Sequence, residues 1–151
     1  MLSVVVPVQN EAQVLAEFHG NLTEVMVASG EDYEIIYVDD GSTDQTLAML
    51  QEFRSTAPEI AILELSRNFG KEVALSAGLD HAGGDAVIVI DADMQDPPWL
   101  IHDFLREWRD GYDVVYGRRT DREGEPWLKV FTAKWFYRII NKLSDVQIPP
   151  D

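Results

Sequence analysis

Asp91 and Asp93 stand one residue apart in Asp91-Ala92-Asp93-Met94-Gln95, directly after the apolar run Ala86-Val87-Ile88-Val89-Ile90. Two carboxylates at that spacing can grip a hard divalent cation, and such a cation can in turn hold a diphosphate. Two more apolar runs end in polar residues, at Pro7-Val8-Gln9-Asn10-Glu11 and at Val38-Asp39-Asp40-Gly41-Ser42-Thr43-Asp44. A carboxylate at such an end can accept hydrogen bonds from a nucleobase imide N–H or a ribose hydroxyl, and the Gly41-Ser42 turn lets the backbone come close to a ligand. Each has a plainer reading taken alone, because Asp39-Asp40-Gly41-Ser42 is also what a turn and a helix cap require.

Other chemistry uses an Asp-x-Asp after a strand. Haloacid-dehalogenase-type phosphatases take the first Asp as nucleophile and the second as acid, but Met94-Gln95-Asp96-Pro97 is not the continuation they need. Dinucleotide binding is weaker still, since no Gly-x-Gly-x-x-Gly follows the first run.

Elements that would carry these residues alternate along the chain. Strands are predicted at Leu2–Val8, Tyr33–Asp39, Ile60–Ser66, Asp85–Asp91 and Tyr112–Tyr116, and helices at about Ala12–Ser29, Asp44–Thr56, Lys71–Ala82 and Pro98–Asp110. Repeated strand–helix–strand units with short connections indicate an α/β fold with a mostly parallel sheet and helices on both faces. The run before Asp91 is mostly β-branched and suits a strand covered on both sides. Ser42 or Thr43 is placed to cap the second helix, and Pro97-Pro98 to open the fourth. In such sheets ligands bind beyond the carboxyl ends of the strands, so all three polar ends should meet at one edge. The histidines His19, His81 and His102 fall in helical or turn positions away from that edge and read as surface or satisfied residues.

At 151 residues the chain can bury the core of one domain, and with no cysteine it can build neither disulfides nor thiolate zinc sites. A formal charge of −15 argues against a nucleic-acid surface, which needs a cationic footprint. The charge is uneven: between Arg118 and Lys142 seven basic residues stand against three acidic ones. That suggests an acidic catalytic body with a basic end turned toward phosphates or lipid headgroups, although an ordinary charged surface helix has the same composition. Pro126–Leu143 is rich in aromatics and spaces Lys134, Arg138 and Lys142 by four residues, a pattern for a helix lying in a membrane interface or packed on protein. No apolar run is long enough for a transmembrane helix, and no signal peptide is evident.

Taken together these segments resemble the family-2 inverting glycosyltransferases of GT-A fold, and among them the polyprenyl-phosphate hexosyltransferases: dolichol-phosphate mannosyltransferases and bactoprenol glucosyltransferases. The matching stretches are Val4–Glu11, Val38–Asp44, Leu65-Ser66-Arg67-Asn68-Phe69-Gly70-Lys71-Glu72 and Asp91–Pro98, with further likeness at Tyr112–Arg119 and Trp135–Ser144. The first two are common to much of the family, whereas Ser66–Glu72 is particular to the lipid-phosphate group.

The resemblance implies that Pro7, Glu11, Asp39 and Asp40 contact the nucleoside of a sugar nucleotide. It implies that Asp91, Asp93 and Gln95 surround Mg²⁺ or Mn²⁺, that Asp91 also belongs to the donor site, and that catalysis depends on Asp93. Arg118 or Arg119 would neutralise donor phosphate and Lys71 acceptor phosphate. The implied reaction moves a hexose, glucose from UDP-glucose by preference, to a polyprenyl phosphate such as undecaprenyl phosphate. A saccharide acceptor, or a piece that binds nucleotide and metal without turnover, are the alternatives. The expected organisation is a nucleotide-sugar-binding core over residues 1–125, then from 126 to 151 a basic aromatic helix beginning an acceptor-side or membrane portion. By comparison with that group the chain is expected to be an amino-terminal piece, soluble by itself, of a protein at the cytoplasmic face of a membrane. A homo-oligomer is compatible with the sequence.

Overall fold

β1 (Leu2–Val8) is an interior strand of a four-stranded, wholly parallel sheet. In the computed structural model, which describes residues 1–117, β2 (Tyr33–Asp39) and β3 (Ile60–Glu64) lie successively on one side of β1 and β4 (Ala86–Val89) on the other. The resulting order, β3-β2-β1-β4, reverses direction between β1 and β4. Such a reversal opens a crevice at the carboxyl ends of the two diverging strands. Val8 is in register with Asp39, and Asp39 with Glu64, so the polar ends of the first three strands fall level with one another.

Four helices join or follow the strands: α1 (Leu15–Ser29), α2 (Thr46–Thr56), α3 (Lys71–His81) and α4 (Leu100–Arg109). Leu15, Phe18, Leu22 and Met26 form the buried stripe of α1, at the spacing that keeps side chains on one helix face. They meet Val4, Val6, Val8, Ile35 and Tyr37 in the main core, joined by Leu50 of α2 and by Ile101 and Leu105 of α4. The opposite face is thinner, with Val5, Ile36 and Val38 against Ala74 of α3. Small residues let α3 lie close there. A Cβ added at Gly78 would sit 2.4 Å from Val5 Cγ1 and 3.0 Å from Val38 Cγ2.

The amino ends of the strands carry a separate polar tie. The Ser3 hydroxyl donates to Glu34 Oε1 (2.6 Å) and accepts from the Gly84 N–H (2.8 Å), while Glu34 Oε1 also accepts from the Gly83 N–H (2.8 Å). His19 is satisfied inside the fold: its Nδ1 lies 2.9 Å from the Tyr37 hydroxyl, and its ring stacks on Phe53 at 4.0 Å between centroids. Burial holds its pKa below the ordinary value. His81 Nδ1 donates to the Ala77 carbonyl (2.8 Å) and His102 stands exposed on α4, so no histidine approaches the strand ends.

Several expectations need correction. Residues 112–116 form no strand. Tyr112, Val114 and Tyr116 alternate as a strand would, but all three are exposed, and none of the four strands among the described residues pairs with them. β4 has one covered face, not two: Ile88 is buried, whereas Val87 and Val89 are 40% and 44% exposed because α3 packs on β1 and β2. β3 stops at Glu64 and β4 at Val89, each short of the predicted end. Neither Ser42 nor Thr43 caps α2. Both are taken up by Asn10, and Asp44 Oδ1 accepts the Thr46 N–H (2.9 Å) instead. Pro97 and Pro98 form a turn whose carbonyls accept from Leu100 and Ile101, so α4 begins two residues after Pro98.

Candidate active site at the carboxyl edge of the sheet

Two clefts open at this edge. The first, of about 240 Å³, lies at the β1–β4 divergence and is lined by Pro7, Glu11, Asp40, Lys71, Asp91 and Asp93 among others. The second, of about 510 Å³, is bordered by Asn10, Asp39, Gly41, Ser42, Arg67 and Asn68. Residues from three strand ends and from the β3–α3 loop thus come together.

Asp39 and Asp40 are adjacent, and strand geometry sends their side chains to opposite sides. Both are almost fully buried, at 1% and 3% exposure. Asp40 Oδ1 accepts from the Phe69 N–H (2.7 Å) and Oδ2 from the Gly70 N–H (2.9 Å), so this carboxylate holds the loop that delivers Lys71. Asp39 Oδ2 accepts from the Ser42 N–H (3.2 Å), but Oδ1 is buried and has no partner among the described residues. A buried carboxylate oxygen lacking a donor is costly, and a ligand N–H would relieve that cost. Gly41 sits between these loops with φ +66°, and a Cβ there would lie 2.5 Å from the Arg67 carbonyl carbon. Only glycine meets both demands.

In the first cleft Lys71 Nζ pairs with Asp91 Oδ2 at 2.5 Å. Asp93 is exposed, and its Oδ1 accepts the Gln95 backbone N–H (2.9 Å). Met94 between them has φ +62°, a left-handed conformation unusual outside glycine, and its side chain packs on the main core. Gln95 itself is exposed and does not line the cleft. Glu11 closes the group: burial and then the charges of Asp93, Asp44 and Asp91 raise its pKa. Its backbone N–H donates to Thr46 Oγ1 (2.8 Å). Some desolvation opposes the charge of the exposed Asp44, yet hydrogen bonds from Thr46 and Ala12 leave its carboxyl below the usual range.

Among the described residues no three His, Asp or Glu side chains converge into a closed metal cage. Asp91 and Asp93 on one cleft wall match instead an open site, of the kind in which one or two carboxylates leave the remaining positions to phosphate oxygens and water. The clustered charge predicts a pH effect. A carboxyl whose pKa rises on folding carries no penalty below the unfolded carboxyl range and a growing one as pH climbs through its folded value. Glu11→Gln is therefore expected to raise Tm by about 1–2 °C at pH 7, a small step because the group is largely solvated, and to leave it unchanged near pH 4. Thermal scans at both pH values would show it; a gain of equal size at pH 4 would refute this cause.

Asn10, Arg67 and Asn68 received no role from sequence. Asn10 takes φ +56°, donates its N–H to Ser42 Oγ (2.9 Å) and accepts from the Thr43 N–H (2.8 Å), which locks the β1 and β2 loops together. The positive φ that asparagine tolerates was the available signal. Arg67 lies over the Phe69 ring, 4.7 Å from its centroid. Arg118 and Arg119 lie outside the described residues, as does the Pro126–Leu143 segment.

Comparison with known proteins bears on this site. The profile described as "Glycosyl transferase family 2" matches residues 3–150. An uncharacterized glycosyltransferase of Synechocystis sp. is 51% identical over 150 residues, 99% of this chain and 47% of the relative. A bactoprenol glucosyl transferase of Shigella phage SfV is 42% identical over 147 residues, 97% of this chain and 48% of that protein. The chain thus spans about half the length of these curated relatives. Among solved structures, a mannosyltransferase from Pyrobaculum calidifontis, in complex with GDP-Man and Mn²⁺, is 32% identical with TM-score 0.53 over 61% of this chain and 27% of its own. S. aureus TarS, 22% identical with TM-score 0.59 over 80% of this chain and 38% of its own, shares the fold. The architecture is accordingly the α/β arrangement of GT-A glycosyltransferases.

Proposed function

The chain belongs to glycosyl transferase family 2, and from that premise we propose that its two clefts bind a nucleotide sugar and that the whole protein transfers the hexose to a polyprenyl phosphate. The unpartnered Oδ1 of Asp39 carries the reading. It is a buried acceptor on a residue that lines the larger cleft, suited to the ring N–H of a uracil or guanine base. Pro7 and Glu11 would flank the ribose, with Asp40 fixing the loop beside them. The names of the bactoprenol relatives support a lipid acceptor and a glucosyl group, and the donor in this reading would be UDP-glucose.

Asp91 and Asp93 would hold Mg²⁺ or Mn²⁺, with the Gln95 N–H keeping Asp93 in place; the Mn²⁺ complex of the Pyrobaculum mannosyltransferase supports a divalent cation, not these residues. When bound, the cation neutralises charge on the diphosphate. Lys71, with Arg118 or Arg119, adds positive charge for donor or acceptor phosphate. The acceptor is already anionic near neutral pH and needs no strong base, so positioning dominates. Its phosphate oxygen forms a bond to the anomeric carbon as the bond to the diphosphate breaks on the opposite face. An α-linked donor gives a β-linked lipid phosphate sugar and free UDP.

Residues 1–125 would be the donor half, and 126–151 would begin the side that meets lipid at the cytoplasmic surface of the membrane. No helix among the described residues is long and apolar enough to cross a membrane. The test is titration calorimetry with UDP-glucose in Mn²⁺, Mg²⁺ or chelator, followed by thin-layer detection of labelled lipid from undecaprenyl phosphate. Metal-dependent UDP binding and a labelled lipid are expected. Preference for GDP-mannose would reassign the base, and failure of every donor to bind would end the proposal.

A further inference from the structure

We propose that Lys71 is a built-in stand-in for the metal: its ammonium and a divalent cation are alternative partners of Asp91, and arrival of the second frees the first for phosphate. The inference rests on the donor-site reading above and concerns how that site is governed between turnovers. Lys71 is the one cationic side chain lining the first cleft among the described residues, against Glu11, Asp40, Asp91 and Asp93. Its Nζ contacts Asp91 Oδ2 at 2.5 Å, on the carboxylate offered to the cation.

The lysine is fixed at its root and free at its tip. Gly70, with φ +98°, turns the chain into α3, and its N–H is held by Asp40 Oδ2 and by Asn68 Oδ1, both at 2.9 Å. Lys71 is the first residue of that helix, where the dipole disfavours a positive charge, so a carboxylate beside the ammonium is favourable. The side chain is nonetheless 61% exposed, and an exposed ion pair separates at little cost. A flexible four-carbon stem can then carry the charge elsewhere without moving the backbone.

Two consequences of opposite sign follow. With no nucleotide present, lysine competes with the cation and weakens its binding. With a diphosphate in the cleft, the displaced ammonium has an anionic oxygen to meet, and the same residue strengthens the complex. A lysine acting only as an acceptor-phosphate ligand would not oppose the metal, and one acting only as a structural counter-ion would not favour the diphosphate.

Mn²⁺ binding followed by electron paramagnetic resonance separates these cases, using wild type, Lys71→Met, Lys71→Arg and Arg67→Met. Without nucleotide, Lys71→Met is expected to bind Mn²⁺ about three- to tenfold more tightly than wild type, Lys71→Arg to stay close to wild type, and Arg67→Met to change less than about twofold. With saturating UDP the advantage of Lys71→Met disappears or reverses. Unchanged or weaker nucleotide-free binding by Lys71→Met overturns the proposal, as does an equal gain in Arg67→Met, which would mark a general charge effect. Wild type that binds Mn²⁺ neither alone nor with UDP would instead bring down the donor-site reading, and this inference with it.

Discussion

Asp93→Asn is expected to lower kcat/KM for hexose transfer by about 10²–10³-fold and to abolish the Mn²⁺ dependence of UDP binding. Stability should barely move. The side chain is exposed, and its internal tie, the Gln95 N–H onto Oδ1, is one that an asparagine carbonyl accepts equally well. The geometry of the turn, including Met94 at φ +62°, is thereby retained while one negative charge is removed. Initial rates with labelled UDP-glucose, paired with a thermal scan, would separate charge from folding. Rates within a factor of about three of wild type would show that Asp93 is not a metal ligand, since loss of a charged ligand in a two-carboxylate site cannot be so mild.

Asp40→Asn tests the neighbouring carboxylate and is expected to act in the opposite way, on folding first. The substitution is nearly isosteric, but an amide offers one acceptor oxygen where the carboxylate serves two N–H groups, from Phe69 and Gly70, and the Gly70 N–H has a further acceptor in Asn68 Oδ1. One donor is left facing the amide NH₂. A loss of about 1–2 kcal/mol in urea unfolding is expected, the scale of one lost charge-assisted hydrogen bond. Because the same loop carries Lys71, metal and nucleotide binding should weaken as well. Unfolding that coincides with wild type would show that the loop is held by other contacts.

These two aspartates illustrate how far the sequence could be read. Apolar runs punctuated by Asp, Gly and Ser located β1, β2 and all four helices, because a buried parallel sheet leaves little ambiguity in seven-residue strands. The edge was legible too, since the strand ends of a parallel sheet must lie together. The division of labour between Asp39 and Asp40 was not. Adjacent identical side chains differ only in the face to which the pleat sends them and in which loop happens to pass there. The ion pair of Lys71 with Asp91 joins residues 20 apart across a helix, and no local pattern announces it. Tyr112–Tyr116 failed for another reason: alternation reports the capacity to be a strand, whereas a strand exists only where a neighbour supplies its hydrogen bonds. Val87 and Val89 were likewise read as buried from residue type, although burial depends on where α3 lies.

The tie among Ser3, Glu34, Gly83 and Gly84 sits at the end of the strands remote from both clefts. Strand length keeps the two ends apart, so selection can act on each without disturbing the other. A change around Ser3 reaches the fold alone, whereas a change beyond Val8, Asp39 or Val89 reaches the clefts as well. A scaffold divided in this manner is open to divergence. New donors and acceptors can be explored by rewriting loops at one end while the other preserves the register, which is a route by which one sheet can serve many sugars.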